Sequence, residues 1–549
     1  MAIVGLVSLP AGAALAQTIN TDLPPLGTTD VRLGDLRNYL DQTAPGFNRL
    51  AAPGWTITPG IDVTQAYQSN GGSSSGSNGR GTQAFTTTVA PSIAVTGESR
   101  RLSGNFFYSP QVVLSDDGNS STYIAQDFNG SGHAILVPET LFLDASAYGF
   151  LQSYFSNATQ NTVINPYQNN QVPTYTFNVS PYLQHRFGGD GVAEIGYAAQ
   201  YSTFGSVQNS TIPGFIPGTV VTNPNATISN SSLLSNSEHV AFTTGENFGR
   251  FNGTAQAVAT QDSGSPLYQG AHSETELLEL GYALNRFVTP IATIGYESIA
   301  YPNAQPPVRI DDLVWAGGAK FTPNADSSLT VAYGHRYGKS NVFLQANLQP
   351  TARLRIYANV SQTLASGLQD IQSIANQADV LSSGVVVDKT TGAPIVLSNN
   401  FFGITNGIDR ISRSSVTAIL SYTRDIFTAS VAQQSDKTVA QAPGSSFQGS
   451  SSGYYGTLGW THDLSPAIST SASATYGRQR NSNNGVAGAT NTNTAQTSSP
   501  SYGATASVNY RLSETLTALA FYGFSRTTGN TFNGSGTQNT ALVTLSKRF

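Results

Sequence analysis

Six histidines mark the places where this chain could do acid–base chemistry: His133, His185, His239, His272, His335 and His462. Hydrolysis or acyl transfer needs a nucleophile or activated water, a base, and a group that orients the base, all within hydrogen-bond reach. Two fragments have the right residue types, Glu238-His239 and His272-Ser273-Glu274. In an extended strand residues 272 and 274 share a face, as a base and its orienting carboxylate must. Polar strands produce such pairs by chance, so no catalytic residue is assigned and no enzyme activity is expected. Asp116-Asp117-Gly118-Asn119-Ser120 offers oxygens of the kind calcium takes but lacks the bidentate glutamate of a full loop, and a polar turn is the simpler reading. Asp311-Asp312, next to Arg309, reads as a solvated strand edge or an internal ion pair. The chain has no cysteine, and its single methionine is Met1. That excludes a disulfide framework, a zinc–thiolate centre and a thiol nucleophile. Neither a metal nor a cofactor is expected.

Whatever these residues do depends on the elements that carry them, and composition narrows those. Charged residues make up 10% of the 549, against roughly 25% in an average soluble protein. A disordered polar chain would rarely hold 25 Tyr and 26 Phe. A formal charge of −5 leaves no basic footprint for nucleic acid. Residues 1–16 read as a signal peptide, an apolar run closing in Ala14-Leu15-Ala16 before Gln17. That run is shorter than the ~20 residues a spanning helix needs. Residues 17–54 read as a periplasmic arm, with Leu33, Leu36, Tyr39 and Leu40 on one side of a short amphipathic helix over Val31–Leu40.

From Trp55 to Phe549 the dominant signal is period-two alternation. Tyr502, Ala504, Ala506, Val508, Tyr510 and Leu512 alternate with Gly503, Thr505, Ser507, Asn509 and Arg511. Tyr175–Leu183, Ala193–Tyr201, Leu354–Val360, Val416–Tyr422 and Ile468–Tyr476 repeat the pattern. A strand places such residues on opposite faces, where a helix would mix them. Runs of about 10 residues suit a tilted crossing of a bilayer. Tight connections such as Gly188-Gly189-Asp190, Asn324-Ala325-Asp326 and Leu512-Ser513-Glu514 alternate with long ones such as Ser156–Val172 and Gln208–Ser235. Short turns at one end and long loops at the other predict an all-β transmembrane antiparallel outer-membrane β-barrel. The count is about 22 strands, within a range of roughly 20–24, with both termini periplasmic. It requires Pro138-Glu139-Thr140 to be a turn, because otherwise the long loops would change sides. A β run ending in an aromatic residue, Phe549, fits the same class. Soluble β-helices show short fixed repeats, which are absent. Tyr201, Tyr296, Tyr333, Trp460, Tyr476, Tyr510 and Tyr522 fall towards strand ends and are expected in the interfacial girdles.

A barrel of this size cannot fill its interior with wall side chains alone. Residues 17–54 are too few for a large globular plug. With few charges, a selective ionic ring is not expected. Arg101, Arg186, Arg336, Arg353 and Arg355 are the pore-lining candidates, and Arg353 with Arg355 share a strand face. The long Ser366–Ile408 connection carries Asp370, Asp379 and Asp388, with helical character over Ile371–Ala378. It either lies outward as a surface loop, the simpler reading, or folds inward as a constriction.

Several stretches resemble the β-barrel porin 2 group of Gram-negative outer-membrane proteins. They are Thr58-Pro59-Gly60-Ile61-Asp62-Val63 with Tyr67 and Asn70, Val89-Ala90-Pro91-Ser92-Ile93, Leu136–Ala147 and Tyr175–Phe187. The resemblance covers most of the barrel and carries over no functional residue. Some members accompany exopolysaccharide-export or PEP-CTERM systems, which implies oligosaccharide or polysaccharide cargo and export machinery as partners. The expectation is therefore an outer-membrane channel in lipid, passing small polar solutes or a polysaccharide. The alternative is a surface-display protein acting through its loops.

Overall fold

The computed structural model describes residues 54–72, 83–116, 121–153, 171–205, 231–380, 386–388, 407–444, 450–481, 497–528 and 536–549. The leader, almost all of the arm and the loop 117–120 lie outside the described residues. The first strands are β1 (Gly54–Gly72), β2 (Gln83–Glu98), β3 (Leu102–Asp116), β4 (Ser121–Val137), β5 (Leu141–Ser153), β6 (Gln171–Arg186), β7 (Gly191–Phe204) and β8 (Ser232–Thr244). Next come β9 (Phe251–Gly264), β10 (His272–Tyr282), β11 (Val288–Tyr301), β12 (Val308–Asn324), β13 (Ser327–Arg336), β14 (Lys339–Thr351) and β15 (Leu354–Ser366). Helix α1 (Gly367–Gln377) and a small hairpin, β16 (Ala378–Val380) with β17 (Val386–Asp388), interrupt the series. It resumes with β18 (Gly407–Ser421), β19 (Asp425–Gln441), β20 (Ser451–Ser465), β21 (Ile468–Asn481), β22 (Thr497–Arg511), β23 (Leu516–Thr527) and β24 (Gly536–Arg548).

Leaving the hairpin aside, each strand pairs antiparallel with the next, and β24 pairs with β1 from Gly60↔Arg548 to Gly72↔Gly536. The result is one closed 22-stranded sheet, matching the sequence count. The seam carries side-chain bonds as well: Thr64 Oγ1 lies 2.8 Å from Thr544 Oγ1, and the Arg548 guanidinium donates to both oxygens of Asp62, at 2.8 and 3.2 Å. The turn at Pro138-Glu139-Thr140 is present, with Glu139 at φ 61°. The tight connections expected from sequence gather at one end; the two-residue Tyr337-Gly338 turn between β13 and β14 lies at the other. Because the strand number is even, the sheet also begins and finishes at that end.

Closure removes the sheet edges that a lipid environment does not tolerate. Alternation then sorts the side chains. Ile195, Ile294, Val431, Leu458 and Val543 stand on the outer face, exposed from the protein. All seven predicted girdle aromatics are exposed on that face too. Opposite positions face the lumen, and many of them are Ser, Thr, Asn or Gln.

The wall is not uniform at the long-loop end. Strand β14 pairs with β15 only as far as Leu344↔Val360. From there β15 continues with β18 to Ser366↔Ile408, and β18 with β19 to Gly407↔Gln441. Pairing of β19 with β20 stops at Asp436↔Ser451. A three-stranded tongue thus leaves the wall and leans over the short β13–β14 hairpin. Arg410 Nη2 donates to the Tyr337 carbonyl in that hairpin turn at 3.0 Å. The tip of β19 reaches the β11–β12 connection, where Gln305 and Gln441 exchange backbone hydrogen bonds of 2.8 and 2.9 Å. Residues 437–441 are strand because the tongue gives them a partner that β20 does not.

Candidate functional site, a lumen capped from one side

Helix α1 begins where β15 ends, and its start is written locally. Ser366-Gly367-Leu368-Gln369 has the S-x-x-Q spacing of a capping box. The Ser366 Oγ accepts from the Gln369 amide at 3.3 Å, and Gln369 Oε1 accepts from the Ser366 amide at 2.9 Å. This cap starts the helix four residues before the helical stretch expected from hydropathy alone. Ser366 Oγ also accepts from the Tyr268 hydroxyl at 2.8 Å. Burial pushes that hydroxyl's pKa up, so it stays a donor.

Two faces of α1 are used. Leu368, Ile371 and Ala375 recur at helical spacing and are buried. Leu368 and Ile371 join an apolar cluster with Val172, Phe204 and Leu233 of the β6–β8 wall, Leu267 and Tyr268 of the β9–β10 connection, and Leu364 and Ile408 of the tongue. Gln369, Gln372 and Asn376 form the polar face and bond the lumen side of β7–β9. Gln200 Nε2 donates to the Gln372 carbonyl at 3.1 Å, and Asn376 Nδ2 donates to Gln200 Oε1 at 2.9 Å. Gln369 Nε2 donates to Asp262 Oδ2 at 2.6 Å, while the Ser235 hydroxyl donates to Asp262 Oδ1 at 2.6 Å. Past the helix, the Tyr148 hydroxyl donates to the Ala378 carbonyl at 3.0 Å. These partners stand on the faces opposite Tyr197, Tyr201 and Leu234, which are exposed outside. The helix is inside the barrel.

An ion pair fastens it from the other direction. Arg413 on β18 donates through Nη1 and Nη2 to the two oxygens of Asp370, at 2.8 and 2.6 Å. Both side chains are buried, at 7% and 8% exposure. The remaining Arg413 Nε donates to Gln434 Oε1 at 3.1 Å, and Gln434 Nε2 donates to the Asp436 carboxylate. A bidentate fork with its other donor satisfied is the geometry in which a buried pair holds position.

The described start of the long connection, helix α1, therefore enters the lumen, where the outward reading places the loop outside, because its apolar face finds the wall cluster and its single acid finds Arg413. Of the three expected acids, Asp370 is part of this anchor. Asp379 and Asp388 lie in the β16–β17 hairpin, and only their backbone pairing is described. Arg413, Gln200 and Asp262 were not singled out from sequence. The capping-box spacing was a readable signal for the helix, whereas nothing local marked its partners.

The arginine candidates separate. Arg336 lies on the lumen face of β13, 11% exposed, with its Nε 3.8 Å from the buried Glu297 carboxylate. Arg355 alternates with Leu354 and Ile356 and shares the inner face with buried Tyr357 and Asn359. Arg186 shares a face with Tyr182 and ends its strand at the short-turn rim. Arg353 is not in a strand: it lies in the β14–β15 turn with its guanidinium 5.2 Å from the centre of the exposed Tyr422 ring. That stacking holds it at the rim and away from Arg355, so the pair does not act as one strand face. Arg101 occupies the β2–β3 turn at the same rim.

The histidine fragments do not assemble. His239 turns inward to Glu194, 3.1 Å away, while Glu238 is on the opposite face. His272 Nδ1 bonds the Gly270 carbonyl at 3.2 Å. His335 bonds Asp312 at 2.8 Å, and Arg309 pairs with Asp311. Among the described residues no group of three His, Asp or Glu side chains is placed to hold a metal ion.

Away from the cap, the inner wall from β20 through β24 to β2 carries short hydroxyls. Ser471 and Ser507 are 2.6 Å apart, and Ser473 and Thr505 are also 2.6 Å apart. With Thr64–Thr544 at the seam they make an uncharged ladder of donors and acceptors along the wall.

No family model and no curated protein matches the chain. Solved structures do. A ferric enterobactin receptor mutant from Pseudomonas aeruginosa is 12% identical, with 89% of this chain and 80% of that one covered and a TM-score of 0.42. The siderophore receptor PirA from Acinetobacter baumannii is 9% identical over 89% and 80%, TM-score 0.46. OccK5 from Pseudomonas aeruginosa is 10% identical over 90% and 98%, TM-score 0.33. Likeness at this level carries no argument about function. The chain's own closed sheet, outer apolar belt and aromatic girdles define it as a transmembrane β-barrel of the outer-membrane type.

Proposed function

We propose that this barrel is an outer-membrane channel for uncharged polar solutes of sugar size, with both chain ends periplasmic. The observation that carries the reading is the hydroxyl ladder on β20–β24 and β1–β2, facing the lumen across from the cap. Hydroxyls can exchange hydrogen bonds with a sugar at nearly constant energy along a path, so passage needs no deep binding site. Several lumen charges are answered within the wall, Arg413 by Asp370, Arg336 by nearby Glu297 and Arg548 by Asp62, which weakens the field available to select an ion. The cap narrows the mouth from one side, which favours small solutes over a polymer. Polysaccharide export would need the cap to be displaced by a partner.

Liposome swelling with the refolded barrel and neutral sugars of graded size tests this. Swelling with a size cutoff is expected, at rates little changed when neutral sugars are replaced by acidic analogues of the same size. A barrel that passes small ions in planar bilayers but no sugar of any size would sink the proposal and shift weight to display through the loops.

A further inference from the structure

We infer that the outer wall of β20–β23, at the long-loop end, is a binding site for a phosphorylated lipid headgroup. The inference rests on the barrel spanning a membrane and is independent of what passes through it. Three exposed rings on this wall, Tyr454, Tyr476 and Tyr502, form a continuous row, with centroid spacings of 6.1 Å and 5.3 Å. Outward tyrosines in a row mark the level where hydrocarbon gives way to headgroups. Arg478 and Arg480 follow Tyr476 on the same strand face, at alternate positions, towards the long-loop end. Arg478 is paired in register with Tyr454, and Arg526 with Tyr502. Strands β21 and β23 flank β22, so by register the Arg478 and Arg526 backbones are about 12 Å apart and those of Arg480 and Arg526 about 16 Å, a span that long guanidinium side chains can bridge around one headgroup.

Such a cluster repels itself unless something answers its charge. Strands β21, β22 and β23 contain no Asp or Glu. On β20 the only acid is Asp463, near the short-turn end. Arg480 and Arg526 are exposed and make no ion pair among the described residues. Guanidinium groups match phosphate oxygens in a bidentate fork, and their stems can lie along the tyrosine rings while the heads reach the headgroup layer. The other side of the barrel provides a contrast. There the outer face near the same end carries Glu238, Glu274 and Glu276, beside a groove floored by Ala257 and Ala259. Phosphate is attracted to one wall and repelled from the other. The ligand the geometry selects is a phosphomonoester-bearing lipid seated with its acyl chains on the apolar belt below Tyr476.

The test uses the full barrel in detergent, titrated with lipid A carrying two phosphates and with the same lipid after phosphate removal, read by native mass spectrometry. The phosphorylated form is expected to bind about tenfold tighter or more, a difference of roughly 1.4 kcal/mol or above. Arg478→Gln/Arg480→Gln/Arg526→Gln should erase that difference, and Glu238→Gln/Glu274→Gln/Glu276→Gln should keep it. Heat-modifiable gel mobility reports whether each variant is folded. Should the triple variant not fold, Arg480→Gln and Arg526→Gln singly should each reduce the preference. Equal binding of the two lipids, or full preference in the arginine variants, overturns the inference. Displacement of the lipid by millimolar inorganic phosphate also overturns it, since that would make the site one for free anions.

Discussion

Asp370 and Arg413 show how much can depend on one pair. Removing one partner of a buried ion pair leaves an uncompensated charge and costs about 3–5 kcal/mol. The helix has little else that is ionic, so that cost falls on its docking. Asp370→Ala is expected to free α1 from the tongue and raise single-channel conductance in planar bilayers, with the barrel still heat-modifiable. Asp370→Leu combined with Arg413→Met removes both charges and should return conductance towards that of the parent. If Asp370→Ala leaves conductance unchanged, the helix is not what narrows the mouth. Gln200→Ala removes neutral hydrogen bonds worth about 1 kcal/mol each and should have a smaller effect. None of these partners was legible from sequence. Asp370 was noticed as an acid in a long loop, but Arg413 is 43 residues away on a strand whose pattern resembles every other.

At the level of elements, the strands were legible because period two is a property of each segment alone. The turn at Pro138-Glu139-Thr140 and the run from Tyr502 to Arg511 were placed by residue type and alternation, and the sheet uses both. The tongue was not legible. Residues 361–366 and 437–441 continue their strands without a break, and they leave the wall only because β14 and β20 end their pairing earlier. Face assignment gives a direct test. Leu458 is 64% exposed on the outer face of β20. Leu458→Arg puts a charge in the apolar belt and should cost about 2–4 kcal/mol of barrel stability in a denaturant titration in lipid. Ser473→Arg, facing the lumen, should cost far less and instead impart anion preference. Equal destabilisation by the two would contradict the inside–outside sorting.

For the whole molecule, an even number of strands puts Gly54 and Arg548 at the same end, together with most of the tight turns. A chain without cysteine allows that end to be located by labelling. In intact cells an impermeant maleimide should react with Lys339→Cys, at the long-loop end, and fail to react with Ser513→Cys until the outer membrane is opened. The reverse pattern would turn the barrel over. The closed count of 22 was readable because loop lengths alternate; the interior was not, since the packing of α1 against β6–β9 joins segments far apart in the chain.

The seam has a further consequence, for the order in which the molecule can come into being. Most neighbouring strands are joined through a single turn or loop, so their pairing is a local event that can proceed as soon as both are available. Strands β1 and β24 are different: Asp62 and Arg548 are 486 positions apart. The entropy of closing a loop grows only with the logarithm of its length, about 0.6 kcal/mol for each doubling. Bringing the first and last strands together is therefore affordable in energy, yet it cannot start until everything between them is in place. Before that moment the protein is an open ribbon with two unpaired edges, each a template for another chain. A chain lacking residues 536–549 is expected to stay in that condition and to appear as heat-insensitive aggregates. Strand β24 is thus the one that turns a sheet into a vessel.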